Sequence, residues 1–283
     1  MAISSDPLRA IVLDNDEATG FYHLVFDVWI TFSNTGLGEK LSFRQVLDFF
    51  IAHSKEYNLF RPGLFKFLKT CVLLREAGRV DAIIMYTHQS AELTWRDWSV
   101  PAFLSVLMGH LTAAEFPEGK LRRVLFDHVL TLPPLEFRKT VNGWVVKDFD
   151  RILNLYPWKP RDIRQIIFID DHASPKHIEA DTVESGMKHT NSWFKVNPYK
   201  VEHNANNYMR FIKQLVAEYG VDLTPEDWTI IGDIADEYVR TTVVDYDPDD
   251  STFLDLEPYM RIKYPLVEAA AAAKPKPKRW SLW

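Results

Sequence analysis

Four stretches of this chain carry side chains that could do chemistry together: Asp14 with Asp16, Thr87, Lys147, and Asp170 with Asp171. Phosphoryl transfer asks a protein for a nucleophile, a proton and positive charge around the oxygens of the transferred group. Two carboxylates two positions apart can share the first two tasks. In Leu13-Asp14-Asn15-Asp16-Glu17, Asp14 would attack in line and carry an aspartyl phosphate, while Asp16 protonates the leaving oxygen and later activates water. That second role requires an Asp16 pKa above the ordinary carboxylate range. Thr87 can donate to a phosphate oxygen, and Lys147 can neutralise both the phosphate and the crowded carboxylates. Four carboxylates around one point repel unless a hard divalent cation binds there, and oxygen donors of this kind suit magnesium. Taken singly, an acidic pair after a strand is better explained by a helix cap or a solvated turn. The weight lies in their order and convergence.

The elements that must position these groups are readable from the apolar pattern. Four short runs rich in branched apolar residues, 10–13, 82–86, 144–146 and 166–169, alternate with longer helical patterns. Such alternation predicts an α/β fold whose mostly parallel sheet is covered by helices on both faces. Ligands of these sheets collect at the carboxyl ends of the strands, and Asp14, Thr87, Lys147 and Asp170 each follow directly on one run. Residues 43–52 read as a helix capped by Ser42, and 21–32 as helix or hairpin. Pro62 and Gly63 open a helix over 64–76 that Gly78 ends. Residues 189–196 read as a further strand, 206–219 as an amphipathic helix, and Thr224, Pro225 and Asp227 as the start of a helix over 226–239.

Composition narrows the classes. The 283 residues carry 33 basic and 39 acidic side chains, a formal net charge of -6, so no bulk attraction to nucleic acid is expected and an anionic substrate must be captured locally. The lone cysteine, Cys71, excludes an intrachain disulfide and a thiolate zinc site, and reads as a core residue in a reducing compartment. Residues 1–10 hold no signal-peptide stretch, so an intracellular protein is expected. The uncharged run 98–114 is too short to span a membrane and reads as a buried helix.

In this order the motifs resemble the phosphatases of the RNA polymerase II C-terminal domain, the NLI-interacting-factor-like family within the haloacid dehalogenase superfamily. The family's Asp-x-Asp-Glu-Thr is similar to Asp14-Asn15-Asp16-Glu17-Ala18, and its Arg-Pro segment before a Phe-Leu helix to Arg61-Pro62-Gly63 and Phe67-Leu68. Its strand-terminal threonine is similar to Thr87, its Val-Lys-Asp-Leu to Val146-Lys147-Asp148-Phe149, and its Asp-Asp/Asn-Ser-Pro to Asp170-Asp171-His172-Ala173-Ser174-Pro175. A later Ser-Trp-Phe reappears as Ser192-Trp193-Phe194, so the resemblance spans residues 8–218. Ala18 stands where the family usually has threonine or valine, with Thr19 next to it, and residues 21–60 do not look like the family's short hairpin.

The resemblance implies a Rossmann-like haloacid dehalogenase fold over 1–220, with a small inserted cap-like region at about 21–60. A peripheral helical extension over 221–268 and a disordered Ala/Lys/Pro tail over 269–283 would follow. It implies Asp14 as nucleophile, Asp16 as acid and base, and Thr87 and Lys147 as phosphate holders. Magnesium would sit at Asp14, Asp170, Asp171 and Asp16, the last through its backbone carbonyl. The implied activity is hydrolysis of a phosphomonoester, in the first place phosphoserine or phosphothreonine in a flexible protein segment. A nucleic-acid or small-molecule phosphatase, or an inactive scaffold that only binds, is the alternative. Relatives occur in nuclei and in large DNA viruses, which implies a nuclear or cytoplasmic place.

Several other features weigh less. Gly232-Asp233 with Asp236 could be a rival metal motif, but a helix start lies just upstream. The acidic segment 245–250 lacks the glycine and final chelating residue of a calcium loop. His172 reads as a surface residue, Trp95 and Trp98 as one face of a helix in the core, and the basic run 274–279 as a solvated tail or a nuclear address.

Overall fold

A computed structural model describes residues 6–141, 144–159, 164–171, 192–201, 204–238 and 250–263. In chain order the elements are β1 (Leu8–Leu13), α1 (His23–Asn34), α2 (Leu37–Lys40), α3 (Phe43–His53), α4 (Leu64–Glu76), β2 (Ala82–Tyr86), β3 (Thr94–Trp95), β4 (Trp98–Ser99), α5 (Val100–Ala113) and β5 (His128–Leu130). After these come β6 (Thr140–Val141), β7 (Trp144–Val145), α6 (Phe149–Asn154), β8 (Arg164–Asp170), β9 (Ser192–Lys195), α7 (Ala205–Tyr219), α8 (Pro225–Tyr238) and α9 (Thr252–Lys263).

Among the described residues, five strands form one sheet in the order β5-β2-β1-β8-β9, and each neighbouring pair is parallel. Parallel strands need crossovers, and helices lie in those from β1 to β2, β2 to β5 and β5 to β8. The alternation of side chains then gives β1, β2 and β8 two buried faces. On one face Ile11, Leu13, Ile83, Met85, Ile167 and Ile169 join the large core beneath the α1, α3, α4, α5 and α7 helices. On the other, Ala10, Val12, Ile84, Tyr86 and Phe168 pack on Ile152 and Leu153 of α6.

Local signals decide most of the element ends. Ser42 accepts from the amide of Gln45 while the Gln45 side chain accepts from the Ser42 amide, a capping box that starts α3. Gly63, at φ 77, turns the chain into α4, and Gly78, at φ 67, turns it out. Residues 21–32, open between helix and hairpin in the sequence, lie mostly in α1. The α8 and α9 helices lie on the large core through Ile231, Ala235, Phe253, Leu256 and Met260. Asp233 and Asp236 face outward on α8, and so form no strand-end metal motif.

Three expectations need correction. The run 144–146 is not a strand of the main sheet: β7 pairs antiparallel with β6 in a separate two-stranded ribbon. Trp95 and Trp98 are not on a helix but face each other across the β3–β4 hairpin, whose turn residues Arg96 and Asp97 both have positive φ. Trp95 is nonetheless buried in the core, against Trp29 and Phe32. The sheet also gains β5, which the apolar pattern did not reveal. No described helix is long and apolar enough to cross a membrane. His172, Ser174, Pro175, most of the 245–250 acidic segment and the basic tail lie outside the described residues.

Candidate active site

β1 and β8 are adjacent and in register, with Leu13 opposite Ile169, so Asp14 and Asp170 emerge side by side at the carboxyl edge. The amide of Asp14 donates to Ile169 O at 2.8 Å and fixes that level. Carboxylate oxygens of Asp14, Asp170 and Asp171 all lie within 4.8 Å of one another, and all three residues are buried. Lys147 reaches the same point from the segment after β7. Its Nζ lies 2.8 Å from Asp14 Oδ2 and 2.5 Å from Asp170 Oδ2, and the side chain is wholly buried.

Thr87 follows β2 and is also buried. Its Oγ1 accepts from the amide of Gln89 at 3.0 Å, an arrangement that leaves the hydroxyl proton to be donated elsewhere. Asp16 sits two residues beyond Asp14. Among the described residues its carboxylate is not in the three-carboxylate group, and its buried Oδ1 has no hydrogen-bond partner. The backbone carbonyl of Asp16 accepts from the Ala18 amide at 2.7 Å and keeps a second lone pair.

The loop carrying these carboxylates is held on several sides. Thr19 Oγ1 donates to Asn15 O at 2.6 Å, and Thr19 Oγ1 meets Tyr22 Oη at 3.0 Å, so Thr19 braces the turn beside the wholly buried Ala18. Gly20 bridges to both Asp16 and Phe60, and a methyl group there would run into Leu59 O and Tyr22 Oη. Glu17 adopts φ 57, and its carbonyl accepts from the Tyr199 amide at 2.7 Å. Arg61, named in the sequence only as part of a motif, lies beneath the loop: Nη2 donates to Glu17 O and to Asn197 O, and Nε pairs with Asp250 at 3.3 Å. A buried guanidinium can organise a loop this way because its donors are fixed in one plane.

Burial dominates the electrostatics. Desolvation, opposed by Lys147 and reinforced by Asp170, pushes the Asp14 carboxyl up to about 7. Desolvation likewise raises Asp16 to about 6, with His23 opposing and Asp14 and Glu17 reinforcing the shift. Asp171 is raised to about 6, first by burial and then by Asp170. Lys147 is raised by the two carboxylates it touches, although burial opposes this. Among the described residues, one lysine therefore touches a group of three carboxylates and offsets it only in part. A hard divalent cation suits the remaining all-oxygen, negatively charged donor set. By contrast, burial pushes the Cys71 thiol up, as fits an inert core residue.

The structure thus brings Asp14, Lys147, Asp170 and Asp171 together and sets Thr87 and Asp16 at the same edge. It adds Asn15 and Gln89, whose side chains bond at 2.9 Å beside Asp14. No sequence signal marked Gln89, whereas Arg61 was flagged by its place before Pro62 and Gly63. A concavity of about 550 Å³ lined by Val106, His110, Leu121, Arg122 and Leu125 lies elsewhere, by the segment that precedes β5. It holds none of the acidic cluster. Comparisons with protein-family models, with curated proteins and with solved structures return no match.

Proposed function

We propose that this protein is a magnesium-dependent phosphomonoester hydrolase of the haloacid dehalogenase kind, acting through an aspartyl phosphate on Asp14. The observation that carries this reading is the buried meeting of Asp14, Asp170 and Asp171 with Lys147 at the carboxyl edge of a parallel sheet.

The chemistry follows from the side chains. A carboxylate oxygen of Asp14 attacks phosphorus, the bond from phosphorus to the ester oxygen breaks, and the departing oxygen takes the proton of Asp16. Water then gives a proton to the Asp16 carboxylate and attacks the same phosphorus. The Asp14–phosphate bond breaks, and inorganic phosphate leaves. An Asp16 carboxyl raised to about 6 can hold and release a proton near neutral pH, as both halves require. Thr87 donates its unspent hydroxyl proton to a phosphoryl oxygen, and Lys147 supplies positive charge there. Asp14, Asp170, Asp171 and the Asp16 carbonyl would hold magnesium, which supplies charge neutralisation to the phosphoryl group.

The substrate class we propose is phosphoserine or phosphothreonine in a flexible protein segment, on the motif resemblance. Turnover of a chromogenic aryl phosphate by purified protein, with magnesium or with chelator and beside Asp14→Asn, tests the reading. Activity lost in the variant and with chelator is expected. A wild-type protein that turns over neither an aryl phosphate nor a phosphopeptide overturns it.

A further inference from the structure

We propose that the Asn15–Gln89 amide pair is a positioning clamp that holds the loop carrying Asp14 in register with the loop carrying Thr87. What the clamp serves rests on the phosphatase reading. The clamp itself is geometric.

Asn15 Nδ2 donates to Gln89 Oε1 at 2.9 Å and joins residues 74 positions apart, just past the ends of β1 and β2. Each partner is tied to a reactive neighbour. The Asn15 amide donates to Asp14 Oδ1 at 2.7 Å, and the Gln89 amide donates to Thr87 Oγ1 at 3.0 Å. A third loop is included, because Gln89 O accepts from the Leu132 amide at 3.1 Å just past β5. One side-chain contact thus ties the loop after β1 to the loop after β2, which backbone hydrogen bonds join to the end of β5.

The contact is costly as a stabilising device. Asn15 is wholly buried, and among the described residues Asn15 Oδ1 and Gln89 Nε2 are both buried without a hydrogen-bond partner. Exchanging oxygen and nitrogen on both amides changes nothing, since one donor and one acceptor stay unspent. An apolar pair of similar shape would avoid that penalty. The amides are therefore better explained by the direction they impose than by the stability they give. Direction matters here, because a nucleophile displaced by a fraction of an ångström from its line of attack loses rate steeply.

The test is a double-mutant cycle on the full-length protein with Gln89→Met, Asn15→Leu and the pair together, read by aryl phosphate kinetics and thermal melting. Each single change is expected to lower kcat by about tenfold, with KM within about twofold and the melting temperature unchanged or higher. The double variant should lose no more than the worse single one. Losses that multiply, a rate equal to wild type, or a melting temperature that falls in step with kcat overturns the clamp. Amide NMR of the same variants separates this from the phosphatase reading. If wild type turns over no phosphate ester, that reading fails and the clamp is judged by NMR alone. Gln89→Met should then perturb the backbone amides of Asp14 and Asn15 across the clamp, and a perturbation confined to the loop that carries Thr87 and residue 89 overturns it.

Discussion

At the scale of residues, the site is a balance that one cation leaves unfinished. Lys147 contacts Asp14 and Asp170 with no exposure to water, so removing it takes from two buried carboxylates the cation they share. Lys147→Met should lower the stability of the metal-free protein by about 3–5 kcal/mol, measured by denaturant unfolding. The raised carboxyls make a second prediction. Asp14, Asp16 and Asp171 release their protons at about 7, 6 and 6 in the fold, against 3.8 ordinarily. The folded chain therefore binds more protons than the unfolded one over that interval, and the stability these groups contribute is lost as pH rises through 6 to 7. Melting of the metal-free protein should fall between about pH 5 and about pH 8, and magnesium should raise it more at the upper pH. A magnesium effect equal at both would mean that the Asp14 and Asp171 carboxyls do not bind it.

At the scale of elements, the loop after β1 works because its neighbours leave it no room to move. Gly20→Ala puts a methyl group against Leu59 O and Tyr22 Oη, and should cost about 1–3 kcal/mol in unfolding experiments while lowering turnover through Asp16. The α9 helix packs on α4: the Phe253 and Phe67 rings meet at a tilt with centroids 5.0 Å apart, and Thr70 donates to Glu257 at 2.8 Å. Phe253→Ala should destabilise by about 3–5 kcal/mol on thermal or chemical unfolding. The central strands were legible, because residues 10–13, 82–86 and 166–169 are continuous apolar runs buried on both faces. The run 144–146 was not, since three apolar residues fit a sheet strand and a ribbon equally well. Trp95 and Trp98, three apart, match a helical face as well as a hairpin whose turn, Arg96-Asp97, lacks the usual glycine. Lys147 still reaches the site because the ribbon ends at the same edge. The carboxylate cluster could be anticipated from strand ends alone, whereas the Asn15–Gln89 contact depends on side-chain direction that no spacing encodes.

At the scale of the molecule, β1 lies at the centre of the sheet, with β2 on one side and β8 on the other. One face of the sheet carries most of the core, while α6 supplies the described helical cover of the other. Amides of β1 and β8 should therefore exchange with solvent most slowly, and those of the β6–β7 ribbon much faster. Hydrogen-exchange mass spectrometry reads this directly, and equal protection of ribbon and central strands would contradict the packing described. A rigid central pair is also what the chemistry needs, since Asp14 and Asp170 take their relative position from the register of those two strands.

The most direct measurement is peptide mapping of the Asp16→Ala variant after brief reaction with an aryl phosphate and acid quench. That variant can accept the phosphoryl group but lacks the group that activates water, so the intermediate should accumulate. The prediction is one phosphoryl group on the peptide that contains Asp14, lost on mild alkaline treatment and absent without magnesium. A phosphoryl group on any other peptide, or turnover without one, would contradict a nucleophilic Asp14.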